Sequence, residues 1–133
     1  MELIEDDGKW VLHQVELHPG FRAKIIFGPA REAGLFGKKP RAADSAWPGW
    51  LEALKARWPR IQAALEPVLT ELGDSAGKGP TTWANVVAPS LRPTSADAWE
   101  LSCTFSWQTE ADAHLHFTFP IVGEESQGVS IDS

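Results

Sequence analysis

His114 and His116 stand one residue apart in the stretch AHLHFTF, where apolar residues alternate with polar ones. On a β-strand that spacing aims both imidazoles at the same face, as two metal ligands would need. A zinc centre takes three or four ligands, so the pair requires a third. If Gln108 to Asp112 form a turn, the register pairs Trp107 with Ala113, and Ser106 and Thr104 then face His114 and His116. Neither hydroxyl is a good zinc ligand, and nothing in the sequence aligns His13 or His18 with the pair. His114 and His116 are therefore read as the wet side of a hairpin. A metal or small-ligand site, or a hydrolytic centre, is the alternative use of that face.

The remaining reactive residue types fall short of a catalytic constellation. Cys103 sits at an apolar position of a strand, where a free cysteine behaves as a small hydrophobe. There is no Gly-x-Ser-x-Gly elbow. Two glycine-rich stretches, GLFGKKP and GDSAGKGP, fail the phosphate-loop pattern on spacing and on the elements around them. The acid pairs Asp6/Asp7 and Glu124/Glu125 lie in a terminus and a turn, where carboxylates are ordinarily just solvated. Glu124 and Glu125 could still meet a basic partner. Trp83 and Trp99 border a long connection and are candidates for a contact surface, since Trp is favoured at interface hot spots. The candidate binding residues are thus Trp83, Trp99, His114, His116, Glu124 and Glu125; no cofactor is expected.

Three blocks must position these residues. In KWVLHQVELHPGFRAKIIFG, two runs rich in Val, Ile, Phe and Trp flank His18-Pro19-Gly20, which predicts a hairpin of strands near 9–17 and 21–28. Phe21, Ala23, Ile25 and Phe27 share one face of the second strand, while the first alternates less clearly. From Asp44 or Ser45 as N-cap, apolar residues from Trp47 to Leu72 recur at spacings of three and four and predict a helical block. Pro48 suits a first turn, but Pro59 and Pro67 predict a kink or a break near Trp58-Pro59. Gly73 is the C-cap candidate. In WELSCTFSW the odd positions are all apolar and the even ones all polar, the pattern of a half-buried strand. Two further strands follow, with Leu115, Phe117, Phe119, Ile121, Val129 and Ile131 inward. Flexible loops are expected at about 28–43 and 73–98; within the second, TTWANVV reads as a short strand or a helical turn.

The sum is a single α+β domain over residues 1–133: an antiparallel sheet of about five strands in the order ββ-α(α)-βββ, with one kinked or two consecutive helices on its apolar face. A chain of 133 residues can build such a core without disulfides, and the lone cysteine offers none. The formal net charge of −6 argues against nucleic acid as a partner. No window is apolar enough for a membrane span, and MELIEDDGKW lacks the apolar core of a signal peptide, so the expected compartment is the cytoplasm.

The N-terminal hairpin, the Trp-rich WPGWLEAL block, the Trp-bearing TTWANVV and the closing FTFPIVGEESQGVSID together resemble a group of small uncharacterised bacterial domains. Several of that group occur among the immunity proteins of contact-dependent, polymorphic toxin systems. The resemblance implies specific binding of another protein: an acidic domain capping a toxin that is often basic. A homodimer through an uncovered sheet edge or Trp patch is a further expectation.

Overall fold

A computed structural model of the protein describes residues 2–133 apart from Phe36, Arg41, Ala43, Asp44 and Ala96; for Glu32, Ala33, Lys38, Lys39 and Pro40 it describes the backbone alone. The chain opens with β1 (Ile4–Asp6), β2 (Lys9–His18) and β3 (Phe21–Pro29), antiparallel neighbours. Pro19 and Gly20 make the β2–β3 turn, with Gly20 at a φ of 84° that only glycine adopts without strain. The unclear alternation of β2 has a local cause. Leu12 and Val15 both enter the core although they are an odd number of residues apart. Gln14 between them takes a left-handed φ of 54°, and the ladder with β3 shifts register there. This bulge inserts one unpaired residue and resets which face the strand presents.

The segment expected to be a loop holds a second, two-stranded sheet of β4 (Arg31–Gly34) and β5 (Gly37–Pro40). The basic Lys38 and Lys39 lie on its backbone-only part, and Arg41 lies outside the described residues. Helix α1 then runs unbroken from Trp47 to Ser75. Asp44, one N-cap candidate, lies outside the described residues; the N-cap is Ala46, not Ser45, with no side-chain hydrogen bond. Pro48 occupies the first turn as expected. No break occurs at Pro59 or Pro67, because both rings sit on the exposed side of the helix. The carbonyls they leave unbonded belong to Lys55 and Ala63 on that wet side, where water can satisfy them. Gly73 is not a C-cap either. It is buried inside the last turns, where its missing side chain lets the Gly79 carbonyl and Thr81 approach the helix.

Beyond α1, Trp83–Asn85 form a 3-10 turn that leads into β6 (Val86–Ser95), so TTWANVV contains both a helical turn and the start of a strand. β6 lies within the stretch expected to be a flexible loop. It is followed by β7 (Ala98–Phe105), β8 (His116–Val122), β9 (Glu125–Ser126) and β10 (Ser130–Asp132). Among the described residues the main sheet has eight strands, against about five expected, in the order β1-β2-β3-β6-β7-β8-β10, with β9 also on β8. It is mostly antiparallel, but β3 and β6 pair in parallel because α1 connects them as a crossover. The register expected for the last hairpin is the one observed: Leu101 faces Phe119 and Cys103 faces Phe117.

One face of this sheet is dry. Leu51, Leu54, Trp58, Ile61, Leu65 and Leu69 of α1 pack on Leu12, Val15, Ile25, Leu91, Leu101, Phe119 and Ile121 of five strands. Each such buried side chain contributes roughly 1.5–3 kcal/mol of transfer free energy. Trp58 lies at the centre, stacked on Phe21 with centroids 5.2 Å apart and edge-on to Trp83 at 5.7 Å. Trp47 and Trp50 extend the cover over Phe27.

Two substitutions test how α1 is held. Gly73→Ala places a methyl group against the Gly79 carbonyl and Thr81, and is expected to destabilise by about 1–3 kcal/mol in urea unfolding. Pro67→Ala restores an amide donor on the exposed side and is expected to stabilise by up to about 3 kcal/mol. A loss of stability instead would mean that the restricted backbone of Pro67 supports the folded state more than its missing donor costs.

Candidate functional site

The strict alternation that buries one face of β7 and β8 leaves short polar side chains on the other. Pairing lines these up across strands: Lys24 of β3 faces Ser90 of β6, Ser90 faces Ser102 of β7, Ser102 faces Thr118 of β8, and Thr118 faces Ser130 of β10. The neighbouring row brings Arg92, Glu100 and Pro120 together. Among the described residues no helix covers them. All but Lys24 floor a groove of about 930 Å³ whose far wall is the β1–β2 turn, Asp7 and Gly8, with Lys9 and Arg31 beside it.

Of the charged residues lining this groove, Arg31, Arg92 and Glu100 are already engaged. Arg92 is ion-paired with Glu100, and Arg31 Nε donates to Glu5 at 2.8 Å. Asp6 lies 3.0 Å from His13 and 3.4 Å from Lys24, reaching from β1 over β2 to β3. Ser102 and Thr118 share a hydrogen bond of 3.3 Å. Asp7, Lys9 and Asp132 form no ion pair with a described residue, which leaves Asp132 as a free carboxylate at the β10 end. The groove therefore offers a hydroxyl floor, an Arg92–Glu100 ion pair within it and a carboxylate mouth. That arrangement suits non-covalent recognition: the hydroxyls both donate and accept, and the paired side chains are held in place before anything binds.

The expected site residues are scattered by comparison. His116 is the first residue of β8, exposed and opposite Asp132. His114 is not on the strand but in the preceding turn, so the two imidazoles do not share a strand face. The cause is Gln108, whose side chain accepts from the Phe105 N–H at 2.6 Å and donates to the carbonyls of Asp112 and Leu115 at 2.8 and 3.1 Å. This clamp ends both strands early and folds the intervening residues into turns, while the register beyond it stays as expected. Among the described residues no group of three or more His, Cys, Asp or Glu could hold a metal ion. His13 stands on β2, separated from β8 by three strands.

The aromatic candidates belong to the interior. Trp99 is 5% exposed and part of the core. Trp83 is half-buried, edge-on to both Phe21 and Trp58, and its buried indole N–H has no described acceptor. The acidic turn is partly neutralised: Arg60 of α1 lies 3.3 Å from Glu124, and Arg57 pairs with Asp97 nearby, leaving Glu125 exposed. Val129 and Ile131, expected to point inward, are 38% and 51% exposed, because α1 does not extend over the β10 edge. Sequence reasoning missed the hydroxyl row; its only trace was the run of Ser and Thr at the polar positions of β7 and β8. No family model, no curated protein and no solved structure matches the chain, and no helix among the described residues is long and apolar enough to cross a membrane.

Cys103 is buried as expected, and burial pushes its thiol from 9.0 up to about 12. The folded protein keeps the proton over a pH range in which the unfolded chain releases it. The thiol therefore costs no stability below about pH 9, and stability falls as pH rises from there toward 12, with a slope approaching about 1.4 kcal/mol per pH unit. Unfolding of the wild type and of Cys103→Ala between pH 8 and pH 11, compared by difference, should show this slope in the wild type alone; parallel curves would place the thiol in contact with water.

Proposed function

We propose that the protein is a non-enzymatic binding domain that receives part of another protein on the helix-free face of its sheet, in the manner of an immunity protein that neutralises a basic toxin. The observation that carries this reading is the groove of about 930 Å³, floored by hydroxyls from four adjacent strands beside the Arg92–Glu100 ion pair and bordered by Arg31, itself paired with Glu5. Short floor residues leave depth for a partner's side chains. Side chains paired in advance, such as Arg92 and Glu100, lower the entropy lost on binding. The net charge of −6 favours a basic partner and speeds its approach. A cytoplasmic setting, where such a protein would meet its toxin, belongs to the same reading.

Co-expression with the product of the neighbouring gene tests it. The wild type is expected to restore growth to cells poisoned by that product. Ser102→Arg and Thr118→Arg fill the groove floor, and each is expected to weaken binding by about tenfold or more at an unchanged melting temperature. Full protection by both variants would remove the groove from the interface, and a harmless neighbour would end the immunity reading.

A further inference from the structure

We propose that the open edge of β10 is a strand-addition site for an extended segment of the partner, one that alternates basic and apolar residues. The inference deepens the reading above, because it rests on a basic protein partner and names the element that partner presents.

The apolar row Cys103, Phe117, Ile131 runs straight across β7, β8 and β10 on the face that α1 covers. Cys103 and Phe117 are buried, yet Ile131 is half-exposed, so the row emerges from under the helix at its last member. Val129, just before β10, is exposed in the same way. On the opposite face of β10, Ser130 and Asp132 line the mouth of the groove. β10 ends the sheet: it pairs with β8 on one side, and no described strand lies on the other. Edge strands are commonly blunted by being very short, or by Lys, Pro or a bulge. Ser130–Asp132 is short, but it carries no Lys, Pro or bulge. The opposite edge differs, since Glu5 and Asp6 of β1 are already engaged by Arg31, Lys24 and His13.

A strand added at β10 would hydrogen-bond along the free backbone edge and send alternate side chains to the two faces. Those on the helix side would meet Ile131 and complete the apolar row. Those on the groove side would meet Ser130 and the unpaired carboxylate of Asp132, which a lysine or arginine complements. Charge selects this occupant over a second copy of the chain, which would bring another net −6 to the same edge.

The probe is the capped peptide Lys-Val-Lys-Ile-Lys-Val-Lys, with its scrambled form Lys-Lys-Lys-Ile-Val-Val-Lys and the acidic form Glu-Val-Glu-Ile-Glu-Val-Glu as controls, each titrated into the intact protein. The alternating basic peptide is expected to protect the amides of residues 129–132 from hydrogen exchange. Ile131→Lys and Asp132→Lys are each expected to weaken it by about tenfold; both positions are exposed, and thermal melts check that the fold is kept. Absence of binding, or equal binding of the scrambled or acidic peptide, overturns the proposal. Amide shifts confined to Ser102 and Thr118 would overturn the edge site and leave the groove reading standing. A concentration-dependent dimer in light scattering that Ile131→Lys dissolves would assign the edge to a second copy instead.

Discussion

A single helix has to cover one face of an eight-stranded sheet, and most features of the molecule answer to that constraint. At 1.5 Å per residue, the 29 residues of α1 span about 44 Å. A break at Pro59 would have split this cover at its centre, beside Trp58. The chain keeps the helix whole by turning both prolines to water and widens its reach with indoles: Trp47 and Trp50 over Phe27, Trp58 between Phe21 and Trp83. Gly73 lets the following loop close against the helix end, where Thr81 accepts from the Trp107 indole at 3.0 Å.

The same constraint explains what stays wet. With most of its apolar side chains committed to one side, the sheet turns mainly Ser, Thr and charged residues to the other, where Ile26 joins them, and the groove forms there. At the margin the helix runs out before the sheet does, so Ile131 continues the apolar row without cover. The functional surface proposed here is thus the complement of the core: the face the helix never meets, and the edge it does not reach.

Elements with strong periodicity were legible in the sequence. The alternation of β7 and the β2–β3 hairpin were readable, and so was the last hairpin's register, because shifting it by one would bury the polar face. β6 was hidden by Pro89 and Pro93, residues that argue against a central strand. Pro89 sits at the register shift next to Ala88, which has a φ of 49°, and Pro93 lies beyond the two-residue ladder with β3, so neither ring interrupts that pairing. The parallel β3–β6 pair follows from α1 acting as a crossover, which no local pattern announces. The groove was illegible for another reason: Ser90, Ser102, Thr118 and Ser130 come from four strands, and each residue type alone suggests nothing. His114 and His116 misled because their spacing matters only on a strand, and the Gln108 clamp keeps His114 off it.

The parallel pair also sets the order in which the molecule can assemble. β3 has no partner on its inner side until β4, β5 and all of α1 have been made and β6 follows, whereas β6, β7 and β8 join through short local connections. Closing that long loop is the entropically slow step of such a topology. During synthesis Leu12, Val15 and Ile25 emerge first and wait, apolar face bare, for the helix that will bury them. The N-terminal hairpin is therefore the part of the newborn chain most exposed to aggregation, and the part a chaperone would shelter.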